Sequence, residues 1–470
     1  MFSMREIRAR RELLRDGGSL GLILTTWLYR IVMVLVMMAG ICKLHALPIK
    51  MMSGECNVVL GAYIFMLFVL LEIYHACDIG QARVSELVMS QTLAKVISAG
   101  VVYVGVSLYV HKLFNPLSLM SVVTVQILLG VLWSILSNRS YYMRRRRPRT
   151  VVFCRNETEY ELLCMTPYFF EKYDVIRVIT EQTDNIPELR SQMEGSEVVF
   201  TMNLPATFAH GVAKLCLDMG IVGYFAPRLG HIIMAGAQHR ATFSVPMLRV
   251  NRAGGHSEYR FFKRAFDMFC SAIGLIILSP VMLVTAIAIW AEDHGPVFYR
   301  QVRLTKNGRK FNIIKFRSMT VNAEKDGIAR LAGENDSRIT KVGHFIRACR
   351  IDELPQLINI FLGDMSIVGP RPERPEIAEQ YEDILPEFSL RLQVKAGLTG
   401  LAQVYGRYNT EPYNKLQMDL MYINEMSMLK DLQLILATIK ILFVKESTQG
   451  IAQGQETALI TSLDGEEKSA

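Results

Sequence analysis

The sequence predicts a membrane protein of mixed α and α/β class. Of the 470 residues, 51% are hydrophobic and 20% are charged, so the apolar residues must be concentrated in blocks. The blocks in the first third of the chain are each about 20 residues long, which is the length that a helix needs to cross a hydrocarbon core. Short apolar runs then alternate with helical stretches, as in a small α/β domain. A fifth apolar block and a polar, motif-rich region follow.

Four apolar segments follow a polar, arginine-rich N-terminus at residues 1–20. A positive run at 139–149 comes after them, and cytoplasmic flanks are the ones that carry excess Lys and Arg. Two basic ends predict an even number of crossings with both ends in the cytoplasm. We therefore predict a bundle of four transmembrane helices in residues 21–138. Its segments lie at approximately 21–42, 57–77, 88–110 and 117–137.

Two charged residues lie inside the first two apolar segments, Arg30 and Glu72. A charge at that depth costs about 2.5 to 3.5 kcal/mol unless it is paired or reaches an interface. The alternative is a path for a substrate through the membrane. We expect the two side chains to reach an interface or each other, and we assign no site to them.

Residues 150–250 show the alternation of a Rossmann-like α/β domain with a parallel sheet. Apolar runs at 151–153, 175–179 and 198–200 alternate with helical stretches near 157–171 and 207–219. The turn after the first run is Cys154-Arg155-Asn156-Glu157 and contains no GxGxxG, so the backbone cannot approach a pyrophosphate closely there. We expect a structural, docking or regulatory role for this domain and no dinucleotide cofactor.

The fifth apolar segment, within residues 260–292, has strongly basic flanks on both sides. A full crossing would place one of these flanks on the wrong side of the membrane. Ser279-Pro280 lies at its middle, where proline removes a backbone donor and the serine hydroxyl can satisfy the carbonyl that is freed. We predict a re-entrant helix-break-helix that enters and leaves by the cytoplasmic face. The alternative is a kinked spanning helix.

The polar region at 293–445 contains two adjacent carboxylates, Asp352 and Glu353, followed by Pro355. Taken alone, this pattern is typical of a helix start, where acidic residues cap the helix and favour its dipole. The final residues, 446–470, are rich in small and acidic residues and are predicted to be a disordered tail.

Cationic residues are dense on both sides of these carboxylates. They are Lys315, Arg317, Arg338, Arg347, Arg350 and Arg371. Pro370 and Pro372 hold Arg371 on a stiff loop, which limits the entropy lost when its guanidinium meets a phosphate. Such a group could bind a diphosphate, with one carboxylate as a nucleophile on phosphorus and the other as a ligand of Mg²⁺. We expect the neighbouring arginines to lower the pKa of both carboxylates.

The stretch from about 260 to 445 resembles the bacterial sugar transferase family, which consists of monotopic polyprenyl-phosphate phosphoglycosyl transferases. Nine motifs carry the resemblance in the family's order. They are Lys263 to Asp267, Ser279-Pro280, Gly295 to Gln301, Lys315 to Met319, Asp336 to Thr340, Asp352 to Gln356, Gly363 to Pro372, Gly397 to Gly400 and Asp419 to Tyr422. The four helices and the α/β domain resemble the large subgroup of the family. Two departures are Ala396, where the family usually has proline and which should loosen the turn, and Cys349-Arg350-Ile351 before the carboxylates.

The resemblance implies a two-step covalent mechanism. Asp352 would attack the β-phosphorus of a UDP-sugar and release UMP, and a polyprenyl phosphate would then attack the ester. Glu353 would act as a ligand of Mg²⁺, which Asp352 could share, or as a base. Phosphate-handling positions would be Lys315, Arg347 and Arg371, with Arg338 a weaker candidate. The product would be polyprenyl-diphospho-sugar, made as the first membrane step of exopolysaccharide, capsule or O-antigen synthesis.

Two other functions remain open at this stage. An ordinary glycosyltransferase would transfer the sugar without its phosphate, but such enzymes typically use a DxD metal site and the chain contains none. A non-catalytic membrane scaffold would not need the intact Asp352, Glu353 and Arg371. We expect a bacterial inner-membrane protein with a cytoplasmic catalytic domain, in contact with the lipid bilayer and no nucleic acid. A homodimer is possible, and the sugar is not specified.

Overall fold

The computed structural model describes most of the chain in two compact units, Met1–Ala226 and Pro227–Ala470. The described residues are 24–41, 47, 54–79, 83–144, 147–164, 169–180, 183, 185–202, 204–242, 245–250, 252, 257–321, 338–406 and 411–441. The predicted N-terminal segment 1–20 and the predicted tail 446–470 lie outside the described residues.

The first unit begins with long apolar helices. They are α1 (Leu24–Ile41), α2 (Gly54–Ile73), α3 (Val84–Val110) and α4 (Leu117–Arg144). Together with α10 (Ser257–Asp293) of the second unit, five described helices are long and apolar enough to cross a membrane. This confirms the apolar segments as helices. Helix α4 extends into the predicted linker at 139–149.

A buried polar network connects these first helices. The Lys95 side chain on α3, only 1% exposed, donates through Nζ to the backbone carbonyl of Gln126 on α4 at 2.8 Å. The Gln126 amide donates to the Met33 carbonyl of α1 at 2.7 Å, and the Tyr63 hydroxyl of α2 donates to Gln126 Oε1 at 3.0 Å. Arg30 and Glu72 pair with each other, as expected. The role of Lys95 is not evident from the sequence, because the residue lies alone in an apolar segment.

Gly130 of α4 makes room for this network. A Cβ at this position would lie 2.3 Å from Lys95 Nζ and 2.7 Å from Gln91 Oε1. We expect Gly130→Ala to lower the thermal unfolding temperature of the detergent-solubilised protein, because overpacking costs about 1–3 kcal/mol. Gly100→Ala is the control, since no atom lies within 4 Å of its Cβ position. Equal unfolding temperatures for the two variants would contradict the prediction.

The α/β region of the first unit contains a four-stranded parallel sheet, which confirms the predicted class. Its strands, in the order β2-β1-β3-β4, pair in parallel. Apolar residues of β1 and β3 pack against α7 and α8 on one face. The elements are β1 (Arg149–Phe153), α5 (Glu157–Cys164), α6 (Phe169–Lys172), β2 (Asp174–Ile179), α7 (Ile186–Met193), β3 (Val198–Thr201), α8 (Ala206–Met219) and β4 (Val222–Phe225).

The second unit starts at Pro227, which lies inside the range 150–250 predicted for the α/β domain. Helix α9 (Leu229–Ala235) belongs to the second unit, where the Asn424 amide donates to the Ile232 carbonyl at 2.7 Å. An antiparallel hairpin of β5 (Gln238–Thr242) and β6 (Val245–Arg249) follows α9.

The rest of the second unit surrounds two small sheets. Strands β7 and β8 form an antiparallel pair, and β9 and β10 form a parallel pair. The elements are β7 (Phe298–Leu304), β8 (Lys310–Phe316), α11 (Lys341–Ala348), α12 (Gln356–Leu362), β9 (Ser366–Val368), α13 (Pro375–Ile384), β10 (Gly397–Thr399), α14 (Leu401–Tyr405), α15 (Pro412–Asn424) and α16 (Met428–Ile441), with short 3₁₀ helices at Lys306–Gly308, Ile351–Glu353 and Pro386–Gln393.

Helix α10 continues through Ser279-Pro280 as one 37-residue helix, so the predicted interruption of the helix at this pair is not observed. Proline at 280 has no N–H for the Ile276 carbonyl, and the Ser279 hydroxyl donates to that carbonyl at 2.7 Å. This is the compensation that the sequence predicted for the pair. The re-entrant course of the helix stays a prediction.

Both ends of α10 contact the rest of the second unit. Near its start, Arg264 donates to the Ile360 and Phe361 carbonyls at the end of α12, each at 2.7 Å. At its end, Asp293 accepts from Arg317 at 2.8 Å. The face that does not contact the unit is apolar and exposed along the whole length. Its residues include Phe261, Phe269, Ile276, Ile277, Leu283, Val284 and Ile287.

Candidate active site

Asp352 and Glu353 lie in a 3₁₀ turn, Ile351–Glu353, between α11 and α12. Helix α12 begins at Gln356 with Pro355 at its N-cap, and no side chain caps it. Helix capping therefore does not account for the two carboxylates. Arg350 enters the turn in the left-handed region at φ 57°, a conformation that costs a non-glycine residue about 1–3 kcal/mol. Such strain is often found where a fold fixes functional side chains.

Glu353 is held by cations from two separate segments. Its Oε1 accepts from Arg371 Nη2 at 2.8 Å and from Lys315 Nζ at 3.2 Å, and Arg350 lies 4.0 Å from Oε2. Burial opposes ionisation of this carboxyl, but the positive charges of Arg371, Lys315 and Arg350 outweigh it and hold the pKa well below its usual range. Glu353 is therefore an ionised, fixed carboxylate, and a weak base.

Asp352 has a different environment from its neighbour. Burial raises the pKa of this carboxyl, and the negative charge of Glu353 raises it further, against the opposing charges of Lys315, Arg347 and Arg350. The arginines lower the pKa of both carboxylates, as expected, but the net shift is downward only for Glu353, because burial and the charge of Glu353 outweigh them at Asp352. Among the described residues, Asp352 makes no side-chain hydrogen bond or ion pair. Its oxygens remain available to attack an electrophile.

Lys315 is positioned through its strand, β8. The Ile314 N–H donates to Asn359 Oδ1 at 3.0 Å, and Asn359 Nδ2 donates to the Asn312 carbonyl at 2.8 Å. This buried amide on α12 joins β8 to the helix that follows the carboxylates. Burial lowers the pKa of Lys315, although the charge of Glu353 opposes that shift. Nothing in the sequence around Asn359 signals this role, because only the fold brings the residue to the strand edge.

We expect Asn359→Leu to lower both stability and turnover. The change leaves the Ile314 N–H and the Asn312 carbonyl without partners, which costs about 1–3 kcal/mol for each group, and it loosens the strand that carries Lys315. Turnover should fall about tenfold or more, since small misplacements of catalytic groups can reach about 10²-fold. Thermal unfolding and turnover measure the two effects. Asn312→Ala is the control, because only its backbone carbonyl takes part, and unchanged turnover of Asn359→Leu would refute this role.

Arg371 lies in the loop after β9, where backbone segments pack unusually closely. A Cβ on Gly369 would lie 2.4 Å from the Lys395 carbonyl oxygen, and one on Gly397 would lie 2.1 Å from the Gly369 nitrogen. Glycine is therefore required in both motifs, and the Gly397 N–H donates to the Pro370 carbonyl at 2.9 Å. The predicted stiffness of the Arg371 loop thus has a second cause besides its prolines.

The other predicted cations occupy different places. Arg347, in the last turn of α11, is close enough to Asp352 to affect its pKa. Arg338 lies beside the Met319–Ile339 bridge and forms no ion pair with either carboxylate. Arg317 pairs with Asp293 at the end of α10 instead. The structure thus brings Lys315, Arg347 and Arg371 to the carboxylates.

Ala396, the departure from the family pattern, is buried and bonded through both backbone groups. Its N–H donates to Thr305 Oγ1 at 3.2 Å, and its carbonyl accepts from the Ser366 N–H at 2.8 Å. Proline has no N–H and could not make the first bond. The expected loosening of this turn is therefore offset by a hydrogen bond that alanine allows.

The carboxylates can supply only part of a metal site. Among the described residues no group of three or more His, Cys, Asp or Glu side chains could hold a metal ion. Magnesium is commonly bound through one or two carboxylates together with waters and substrate phosphates. Asp352 and the Glu353 oxygen that Arg371 does not contact match that incomplete donor set, so the residues fit an ion that binds together with a diphosphate.

Comparison with known proteins places this unit in a family. The family model described as bacterial sugar transferase matches residues 258–445. The UDP-glucose:undecaprenyl-phosphate glucose-1-phosphate transferase of Klebsiella pneumoniae is 42% identical over 191 residues, covering 40% of this chain and 41% of its own length.

Two further relatives are covered over most of their own length. The exopolysaccharide production protein PSS of Rhizobium leguminosarum bv. phaseoli is 38% identical over 197 residues, which is 40% of this chain and 96% of that protein. A putative undecaprenyl-phosphate N-acetylgalactosaminyl 1-phosphate transferase of Bacillus subtilis is 46% identical over 136 residues, which is 29% of this chain and 75% of that protein.

The matched region has clear limits. The aligned residues span only 41%, 44% and 40% of three of the longer relatives. The family match contains the 3₁₀ turn with its carboxylates, Lys315, Arg371 and all of α10 except its first residue, Ser257. The chain therefore belongs to the bacterial sugar transferase family.

Proposed function

We propose that this protein transfers a sugar 1-phosphate from a UDP-sugar to undecaprenyl phosphate or a similar polyprenyl phosphate. The observation that carries the proposal is the contrast between the two carboxylates. Glu353 is fixed by Lys315 and Arg371, while the Asp352 oxygens beside it bond to no other side chain in the part of the chain that the structure describes. An uncommitted carboxylate next to a group of cations suits nucleophilic attack on a diphosphate. The names of several relatives state the same reaction type.

In the first step, a carboxylate oxygen of Asp352 attacks the β-phosphorus of the UDP-sugar. A bond forms between that oxygen and phosphorus, and the bond from phosphorus to the bridging oxygen breaks. UMP leaves with the bonding electron pair, and the sugar phosphate remains on Asp352 as an acyl phosphate. Lys315, Arg347 and Arg371 offset the negative charge that develops on the phosphate oxygens.

In the second step, a phosphate oxygen of the polyprenyl phosphate attacks the same phosphorus. The bond to Asp352 breaks, and its carboxylate is restored as the polyprenyl-diphospho-sugar forms. The depressed pKa of Glu353 argues against its use as a base and favours its use as a fixed ligand and positioning group. Bound Mg²⁺ at Glu353 and Asp352 would supply charge neutralisation at the diphosphate.

The membrane arrangement belongs to the same proposal. A 37-residue helix is about 55 Å long at 1.5 Å per residue, well beyond the roughly 30 Å hydrocarbon core. Yet Arg264 and Asp293, near its two ends, both contact the second unit. These contacts support a helix that enters and leaves by one face. In the same proposal, α1 to α4 form a transmembrane bundle in the inner membrane and the catalytic unit is cytoplasmic.

Cysteines introduced on either side of Ser279-Pro280 test this arrangement. The changes Phe269→Cys and Trp290→Cys place thiols at exposed positions on the two halves of α10. In sealed inverted vesicles the cytoplasmic face points outward. A membrane-impermeant thiol reagent added outside should therefore label both introduced cysteines or neither of them. Labels on opposite faces would exclude re-entry.

The leaving nucleotide tests the reaction itself. Purified protein in lipid nanodiscs with a polyprenyl phosphate should release UMP from at least one member of a panel of UDP-sugars. Release of UDP would show an ordinary glycosyltransferase instead. Release of neither nucleotide with any donor would favour a scaffold. The same panel identifies the sugar, and the mass of the nanodisc complex tests the possible homodimer.

A further inference from the structure

We infer that Arg391 is a positioning residue that holds Arg371 in place, an inference that rests on the proposed function. Arg391 lies in the 3₁₀ helix Pro386–Gln393, outside every motif of the family resemblance. Its Nη2 donates to the backbone carbonyl of Arg371 at 2.9 Å. Arg371 in turn holds Glu353 at 2.8 Å. Two hydrogen bonds therefore connect the buried Arg391 side chain, through Arg371, to Glu353 of the carboxylate pair.

The burial of Arg391 makes its contacts specific. The residue is 3% exposed, and its guanidinium lies 4.8 Å from the centre of the Phe388 ring. A buried charge is costly unless it is compensated, and two carboxylates compensate this one. Asp419 Oδ2 lies 2.8 Å from Nη2 and Glu373 Oε1 lies 3.5 Å from Nη1. Asp419 is the first residue of the last family motif, Asp419 to Tyr422. Its contact with Arg391 gives that motif a structural role.

Arg391 completes a series of bonds along the loop. Four consecutive carbonyls, those of residues 370 to 373, each accept a hydrogen bond. The donors are the Gly397 N–H, Arg391 Nη2, Arg303 Nη1 and the Leu304 N–H, in that order. Loops usually have mobile backbones, and this one is fixed at every residue from Pro370 to Glu373. Arg391 makes the bond to the carbonyl of the functional arginine itself.

The role is positioning and not direct contact with a substrate. The cavity that Arg391 lines together with Arg371 and Glu373 has room for about one water molecule. A sugar or a phosphate does not fit there. Loss of Arg391 would instead let the Arg371 backbone move, and a displacement of about 1 Å in a catalytic group can cost about 10²-fold in rate.

A double-mutant cycle in turnover separates positioning from a general loss of stability. We expect Arg391→Met to lower turnover about 10-fold to 100-fold in the wild-type background, and Arg391→Lys to recover part of the loss. In an Arg371→Ala background, Arg391→Met should have little further effect, because coupled residues are non-additive. Arg309→Met is the control, since Arg309 pairs with Asp364 on an exposed surface, and its effect should be small in both backgrounds.

If Arg391→Met lowers turnover by the same factor in both backgrounds, the inference is wrong. Unchanged turnover of Arg391→Met in the wild-type background would also overturn it. If that variant does not fold, Asp419→Asn replaces it, because this change keeps the side-chain volume and removes the partner charge. The proposed function fails by a different result, namely no UMP release by the wild-type protein. The two failures are therefore distinguishable.

Discussion

Asp352→Asn should abolish turnover and the covalent phosphosugar adduct together. Asparagine keeps the shape of the side chain but has no ionised oxygen to attack phosphorus. Removal of a nucleophile costs about 10⁴-fold to 10⁶-fold in rate. Turnover is measured as UMP release, and the adduct is measured by intact mass after incubation with the UDP-sugar in the absence of polyprenyl phosphate. A mass increase of one sugar phosphate should appear in the wild-type protein and not in Asp352→Asn.

Two matched variants sharpen this result. Glu353→Gln should slow turnover but still form the adduct, because Glu353 is engaged by Lys315 and Arg371 and does not attack. Asp364→Asn should leave both measurements unchanged, since that carboxylate pairs with the exposed Arg309. Adduct formation by Asp352→Asn, or its loss only in Glu353→Gln, would refute the assignment of the nucleophile.

Arg371→Lys should lower turnover about 10²-fold to 10³-fold, although the charge is conserved. Arginine presents a planar fork of donors that can bind Glu353 and a phosphate at once, whereas lysine is a point charge on a flexible stem. Removal of one preorganised donor from a transition state typically costs about 10²-fold to 10³-fold. The rate of adduct formation in a single turnover measures this effect on the first step.

Arg309→Lys is the comparison for that prediction, since it makes the same chemical change in a surface ion pair. Exposed ion pairs contribute about 0–1 kcal/mol, so its rate should match the wild type. A rate for Arg371→Lys within twofold of the wild type would show that charge alone is sufficient at this position.

The sequence predicted features that depend on local chemistry. The apolar helices follow from residue composition, and the parallel sheet follows from runs of Val, Ile and Phe at regular spacing. Ser279 could be assigned to the carbonyl freed by Pro280 because the two residues are adjacent. The carboxylate pair could be recognised because the motifs around it are contiguous in the chain.

Features that depend on distant contacts were not predictable in this way. The direction of the Asp352 pKa shift depends on burial and on Glu353 being ionised by Lys315 and Arg371, which lie 38 and 18 positions away. The sequence around Lys95 does not indicate its hydrogen-bond partner, because that partner is a backbone carbonyl 31 residues along the chain. The inclusion of α9 in the second unit likewise depends on Asn424, 192 residues away. Single residues do not encode such packing.

The exposed apolar face of α10 has a practical consequence for anyone who handles the second unit apart from the first. Ile276, Leu283 and Val284 are 73%, 63% and 67% exposed on a helix whose other face packs against catalytic elements. A fragment that begins near residue 257 would behave as an amphiphile even without α1 to α4. It should partition into micelles and pellet with lipid, and trimming the helix to gain solubility would remove Arg264 and Asp293, which support the catalytic fold.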